Sequence, residues 1–210
     1  MDIKLNEIYD RFASTYEENR ALFDMTGIFD SFFESLNKTN GKLLDLGCGA
    51  GEPIPKLFID NNWKVTGVDF SSKMLNLASK YTPQMERIHS DITKMEFKEN
   101  KFDAITAIYS LFHIESSKHE NLFKNIYKWL KPNGKALFTY ATKEYTGQDE
   151  FNGYKEFLGE NLFYSHKTPN KLYEMLENIG FVIKSKDYKN IGGEVFLWVT
   201  IEKVCPSLQL

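Results

Sequence analysis

The residues best placed for chemistry are three aspartates and a glycine-rich turn. The segment LLDLGCGAGEP (43–53) carries an apolar strand pattern through Asp45 into Gly47, Cys48, Gly49, Ala50 and Gly51, with Glu52-Pro53 opening a helix. Glycines suit a place where a ligand meets the backbone, because a Cβ would block the approach. A dinucleotide turn needs G-x-G-x-x-G, and its sixth position here is Glu52; the P-loop pattern G-x-x-x-x-G-K-[ST] is absent. Asp45 and Glu52 would also repel a pyrophosphate, whereas carboxylates suit a ligand with a cationic amino-acid end and a sulfonium. Asp69 follows twenty residues after Gly49, at the tip of the next strand pattern, VTGVD, and Asp91 follows a third. A carboxylate at the second strand tip can accept both hydroxyls of a ribose. His113 and His166 are the candidates for proton transfer, since imidazole titrates near neutral pH. Cys48 is explained by its place in the turn.

The turn resembles motif I of the class I S-adenosylmethionine-dependent methyltransferases, D/E-x-G-x-G-x-G, with Asp45, Gly47, Gly49 and Gly51 in place. The resemblance extends over about 40–203. It implies S-adenosyl-L-methionine as cofactor, S-adenosyl-L-homocysteine as product and a small-molecule methyl acceptor. It also implies Asp69 on the ribose, Phe70 and Met74 flanking the adenine, Asp91 accepting from the adenine amino group and Ile92 lending a backbone amide. FDAITAIYSLFHI resembles motif IV; it contributes Ile108 on the cofactor side, and Tyr109 and His113 on the acceptor side. LKPNGKALFTY resembles the family's Pro-Gly-Gly turn before strand five, with Asn133 for the first glycine. YDRFASTY (9–16) resembles an N-terminal pattern whose helix lies across the cofactor, with Tyr16 near the methionine carboxylate and Arg11 or Arg20 pairing with it. A catalytically silent cofactor-binding protein and a nicotinamide-dependent oxidoreductase are the alternatives.

Methyl transfer from a sulfonium is an in-line displacement, so the protein mainly aligns the acceptor, excludes water and removes a proton where one must leave. The segment after strand four reads IYSLFH and not [DN]-P-P-[YF], the pattern of enzymes that methylate exocyclic amines of bases. No carboxylate cluster there suggests a metal, and none is expected. Residues 142–168 are polar, Gly-punctuated and rich in aromatics (Tyr145, Phe151, Tyr154, Phe157, Phe163, Tyr164), as a lid over a partly apolar or cationic acceptor would be.

The elements that must position these residues are legible in the periodicity. Ile8, Phe12 and Tyr16, then Leu22, Met25, Phe29, Phe32 and Leu36, recur at helical spacing, giving N-terminal cap helices within 1–38. From Lys42, short apolar runs alternate with helical segments, which predicts a mostly parallel sheet with helices on both faces. VIKSKDY and EVFLWVTIE, separated by a Gly192-Gly193 loop, predict a hairpin and hence one antiparallel strand. With the resemblance, the expectation is one Rossmann-like, seven-stranded α/β domain over 1–210.

The 210 residues suffice for such a core without disulfide staples, burying roughly 70% of the unfolded chain's surface. Lys+Arg 26 against Asp+Glu 29, for a net charge of −3, includes no basic block, so no nucleic-acid partner is expected. No apolar run approaches the ~18 residues of a membrane span, and MDIKLNEIYDRF has acids where a signal peptide is apolar. With two cysteines, the chain reads as a reduced, cytoplasmic protein with no membrane partner.

Overall fold

The computed structural model describes residues 3–15 and 25–204. Helix α1 (Ile3–Phe12) and helix α2 (Thr26–Ser35) precede the sheet. The alternation then runs β1 (Lys42–Leu46), α3 (Ile54–Asp60), β2 (Lys64–Asp69), α4 (Ser72–Tyr81), β3 (Glu86–His89) and β4 (Phe102–Ala107). It continues with α5 (His119–Trp129), β5 (Leu130–Tyr140) and the single turn of α6 (Lys143–Thr146). The chain ends on β6 (Phe151–Phe157), β7 (Glu160–His166), α7 (Pro169–Ile179), β8 (Phe181–Ile191) and β9 (Glu194–Lys203).

Seven strands form one sheet in the order β3-β2-β1-β4-β5-β9-β8. Every pairing among β1 to β5 is parallel, and β9 runs antiparallel to both β5 and β8. Strands β1, β2 and β4 are apolar runs buried almost throughout, because helices cover both faces of a parallel interior. Side chains alternate between two cores. Leu43, Val65, Ala104 and Leu137 pack with Phe29, Phe32, Phe58 and Leu75 of α2, α3 and α4. Leu44, Leu46, Ile105 and Phe138 pack with Phe123, Trp129, Leu172 and Leu176 of α5 and α7.

The order in which strands are added across the sheet reverses between β1 and β4, the neighbours at the centre of the sheet. That topological switch point opens a crevice at the strands' carboxyl ends. Asn133, near the start of β5, occupies φ +62, a left-handed position asparagine tolerates in place of glycine.

The 142–168 stretch is an antiparallel hairpin, β6 with β7, outside the main sheet. Its two-residue turn holds Leu158 at φ +50 and Gly159 at φ +78, the positive pair that a tight hairpin requires. Helix α1 lies against this hairpin. Leu5 and Ile8 are buried with Phe112, Tyr145, Leu162 and Tyr164, and Arg11 pairs with Glu160 at 2.8 Å. At α4, Ser71 Oγ donates to Asp10 Oδ1 at 2.6 Å while accepting from Met74 N–H as the helix cap. The crevice therefore has a roof tied down at both sides.

Candidate functional site

The glycine turn leaves β1 directly into the crevice. Gly47, Gly49 and Gly51 sit at φ +84, +51 and +81, where a Cβ is disfavoured whatever the space. The space differs, however. A Cβ on Gly47 would stand 2.5 Å from Ser110 Cβ, and one on Gly51 would stand 2.0 Å from Thr82 Oγ1. A Cβ on Gly49 would meet none of the described residues within 4 Å. Gly47 and Gly51 are thus required by the protein's own packing, and Gly49 faces an open cradle.

Asp69, at the tip of β2, accepts from the N–H of Gly49 and of Ser71, each at 2.8 Å. Burial raises its carboxyl above the ordinary range, while these N–H donors oppose the rise. It lines the central cleft with Tyr9, Gly47, Phe70, Ile92 and Tyr109. Asp91 caps the turn after β3, accepting from Thr93 N–H at 2.9 Å, and lines an adjoining cavity of about 190 Å³ beneath α1 and the hairpin. Asp45 lies deeper. Thr106 Oγ1 donates to it at 2.6 Å, joining the tips of β1 and β4, and burial pushes its carboxyl up to about 7. Asp45, Gly49, Gly51, Met74 and Ile108 do not line the central cleft, the cavity beside Asp91 or the aromatic cavity beyond Tyr109. Met74 packs with Ala13 and Ala50 behind the turn, and Ile108 packs against the α2–α4 core. Tyr16 and Arg20 lie outside the described residues.

Following β4, Tyr109 takes φ +53, a left-handed backbone held by its N–H donating to Thr139 Oγ1 at 2.6 Å. That strain, of order 1–3 kcal/mol, is typical of functional sites. His113 Nδ1–H donates to Phe163 O at 2.8 Å, which leaves Nε2 as the acceptor for Tyr9 Oη–H, also at 2.8 Å. Burial lowers the His113 pKa to about 4, so the imidazole is neutral and this tautomer is fixed. Burial, with Asp69 adding to it, raises the Tyr9 phenol well above its ordinary value. His113 borders three cavities: the central cleft, the cavity beside Asp91, and an aromatic one of about 180 Å³ on the far side of Tyr109. Tyr9 and Tyr109 border both the cleft and the aromatic cavity.

The structure does not bring His166 to this junction. It sits at the hairpin base, 1% exposed, with Nε2 bonded to Thr146 Oγ1 at 2.7 Å and its ring stacked on Phe151. It follows Tyr164, which does reach the aromatic cavity, by two residues on the same strand face, about 7 Å further along. Two side chains take places the sequence reading did not assign. Tyr9 is the partner of His113 from 104 residues away, and Glu194, first in β9, lines the aromatic cavity.

The methyltransferase-domain family matches residues 43–134, from the glycine turn to the start of β5. A wheat phosphoethanolamine N-methyltransferase is 34% identical over 165 residues, 74% of this chain. Residues 43–134 thus carry a methyltransferase domain. The phosphoethanolamine N-methyltransferase of Plasmodium falciparum is 34% identical over 55% of this chain. The chain spans 32% and 45% of the lengths of these two relatives. Among solved structures, the 1,6-didemethyltoxoflavin-N1-methyltransferase of Burkholderia thailandensis superposes with a TM-score of 0.70 at 18% identity. It covers 98% of this chain and 92% of its own. A S-adenosylmethionine-dependent methyltransferase of Methanosarcina mazei gives 0.69 at 18%, covering 82% and 97%. These likenesses carry the fold, and the relatives are methyltransferases where the oxidoreductase alternative required dehydrogenases.

The residues present fit S-adenosylmethionine, the cofactor that the matched domain implies. The open cradle over Gly49 admits a ligand to the backbone, and Asp69 offers carboxylate oxygens at the strand tip where a ribose would present its hydroxyls. The carboxylates suit a cationic amino-acid end and sulfonium and disfavour a second anion. No helix among the described residues is long and apolar enough to cross a membrane.

Proposed function

We propose that the protein transfers a methyl group from S-adenosylmethionine to a nitrogen or oxygen of a small molecule held in the aromatic cavity. The observation that carries this reading is the Tyr9–His113 pair at the junction of the glycine-turn cleft and that cavity. The bound cofactor supplies an activated methyl on sulfonium, so no covalent nucleophile is required of the protein. Asp69 is the ribose acceptor, Gly49 the backbone contact, and Asp91 with Ile92 the adenine end; Phe70 flanks the adenine. Asp45 positions the turn from beneath.

On the acceptor side, Tyr9 Oη gives its proton to His113 Nε2, so its lone pairs are free to accept an N–H or O–H from the acceptor. That contact aims the nucleophile's lone pair, and alignment of this kind contributes a large share of the rate. Where the acceptor must lose a proton, the path is Tyr9 Oη with Tyr9's own proton passing to His113 Nε2. The depressed pKa of His113 keeps the proton on Tyr9 until bond formation acidifies the acceptor. Tyr109 walls the junction. Helix α1 and the β6–β7 hairpin act as the lid that excludes water. The chain acts as a single domain.

The test is an assay for S-adenosylhomocysteine over a panel of small amines and phenols, with NADPH oxidation followed in parallel. Product formed with one class of acceptor, and no NADPH turnover, is the expected result. Tight S-adenosylhomocysteine binding with no turnover across the panel would favour the silent binding protein.

A further inference from the structure

The aromatic cavity has a distinctive electrostatic makeup. Its walls are the rings of Tyr9, Tyr109, Phe112, Phe157, Tyr164 and Phe196, and among the described residues lining it Glu194 carries the only charge, His113 being neutral. Burial raises the phenol pKa of Tyr9, Tyr109 and Tyr164, and of Tyr145 behind them, and the Glu194 charge adds to each rise. Burial in turn raises its own carboxyl, opposed by the Tyr145 hydroxyl and by Lys155. Lys155 shows the kind of group this environment attracts. Its ammonium lies 3.7 Å from the centroid of Tyr145 and bonds to the Tyr145 carbonyl, though it does not line the cavity. Ring faces and a half-buried carboxylate together favour a cation and repel an anion.

We propose that this cavity is the acceptor subsite and takes a compact ammonium-bearing molecule without a phosphate or carboxylate, Glu194 and the ring faces recognising its positive charge beside Tyr9. The inference rests on the methyl-transfer reading and narrows it. It departs from the phosphate-bearing acceptor in the names of the wheat and Plasmodium relatives, because a phosphate in this cavity would face Glu194 with no cation among the described lining residues to offset it. The same charge field suits methyl transfer to the amine once the ammonium has released one proton to solvent. The nitrogen lone pair then forms the new N–C bond as the sulfonium C–S bond breaks. S-adenosylhomocysteine leaves, and the positive charge moves from sulfur to nitrogen within reach of Glu194.

The experiment is calorimetric titration of tetramethylammonium chloride and of phosphoethanolamine into the wild-type protein and Glu194→Gln, each with and without saturating S-adenosylhomocysteine. Tetramethylammonium is expected to bind the wild type at least tenfold more tightly than phosphoethanolamine, and to lose at least tenfold in Glu194→Gln. Tighter binding of phosphoethanolamine, no binding of tetramethylammonium, or equal tetramethylammonium affinity in the variant would overturn the proposal. The comparison of the two probes on the wild type stands without the variant, and unchanged S-adenosylhomocysteine affinity in Glu194→Gln reports an intact fold. Failure of the methyl-transfer reading appears elsewhere, as absent S-adenosylhomocysteine binding to the wild type.

Discussion

Replacing Gly49 and Gly51 separately with alanine distinguishes a ligand cradle from a tight structural turn. Both positions have positive φ, +51 and +81, so alanine at either costs about 1–2 kcal/mol in backbone strain. At Gly49 the added methyl meets none of the described residues within 4 Å, so strain is the cost to stability that their packing leaves. At Gly51 the methyl would lie 2.0 Å from Thr82 Oγ1, which is held in place by its 3.0 Å bond to Ala78 O, and 3.3 Å from Ala78 Cβ. Overpacking of this kind adds about 1–3 kcal/mol. For a domain of this size each kcal/mol moves the melting temperature by about 2–4 °C. Gly49→Ala should therefore melt only a few degrees below wild type, with Gly51→Ala clearly lower. Binding should follow the opposite order among folded molecules. The Gly49 methyl enters the space left for the cofactor and should weaken S-adenosylhomocysteine by tenfold or more, while Gly51→Ala, where it folds, should bind more nearly as the wild type does. Thermal melts and calorimetric titration supply both quantities. Wild-type affinity in Gly49→Ala would refute the cradle and leave the turn as a connection only.

Asp69→Asn should weaken S-adenosylhomocysteine by about 1.5–3 kcal/mol, the scale of hydrogen bonds to a charged group, and calorimetry giving unchanged affinity would remove Asp69 from the ribose role. His119 is 2% exposed, donates to Leu111 O and Ile114 O, and is held by burial at about 4 against an ordinary 6.5. Because the unfolded chain takes up this proton first, the native state should lose stability as pH falls from about 7 towards 4, by roughly 3 kcal/mol from this residue at the lower limit. Asp45, raised to about 7, acts in the opposite direction by shedding the cost of its buried charge as pH falls. Denaturant melts from pH 7.5 to 5 should show a shallower acid decline in His119→Gln; an identical slope would contradict the assignment.

Much of the fold was readable because its signals are local. The buried runs KLLDL and KVTGVD, the Gly turn, and the Gly192-Gly193 hairpin each carry their own geometry. Asp69 and Asp91 were readable as strand-tip carboxylates for the same reason. The β6–β7 hairpin was legible only as a lid-like insertion, because its turn places Leu158, a residue with no turn signature, at positive φ. The Tyr9–His113 pair is hidden differently. A helix stripe places Tyr9 among apolar neighbours, and only the docking of α1, fixed by Asp10 on Ser71, aims its hydroxyl at a residue 104 positions away. His166 lies away from the junction, a placement hidden from the sequence because spacing along a strand says which face a side chain occupies and not how far along the hairpin the cleft extends. Glu194 gave no signal beyond a carboxylate following two glycines.

The Tyr9–His113 pair at the meeting of cofactor cleft and acceptor cavity is the centre of the account. The most direct measurement is kcat, with the S-adenosylhomocysteine Kd, for Tyr9→Phe on an acceptor that the wild type methylates. Phenylalanine keeps the edge-on ring contacts to Phe12 and Phe70 and leaves Asp10–Ser71 and Arg11–Glu160 to hold α1. The account predicts a fall in kcat of about 10²-fold or more, with Kd within a few-fold of wild type. A near-normal kcat, or a loss of affinity equal to the loss of turnover, would contradict it.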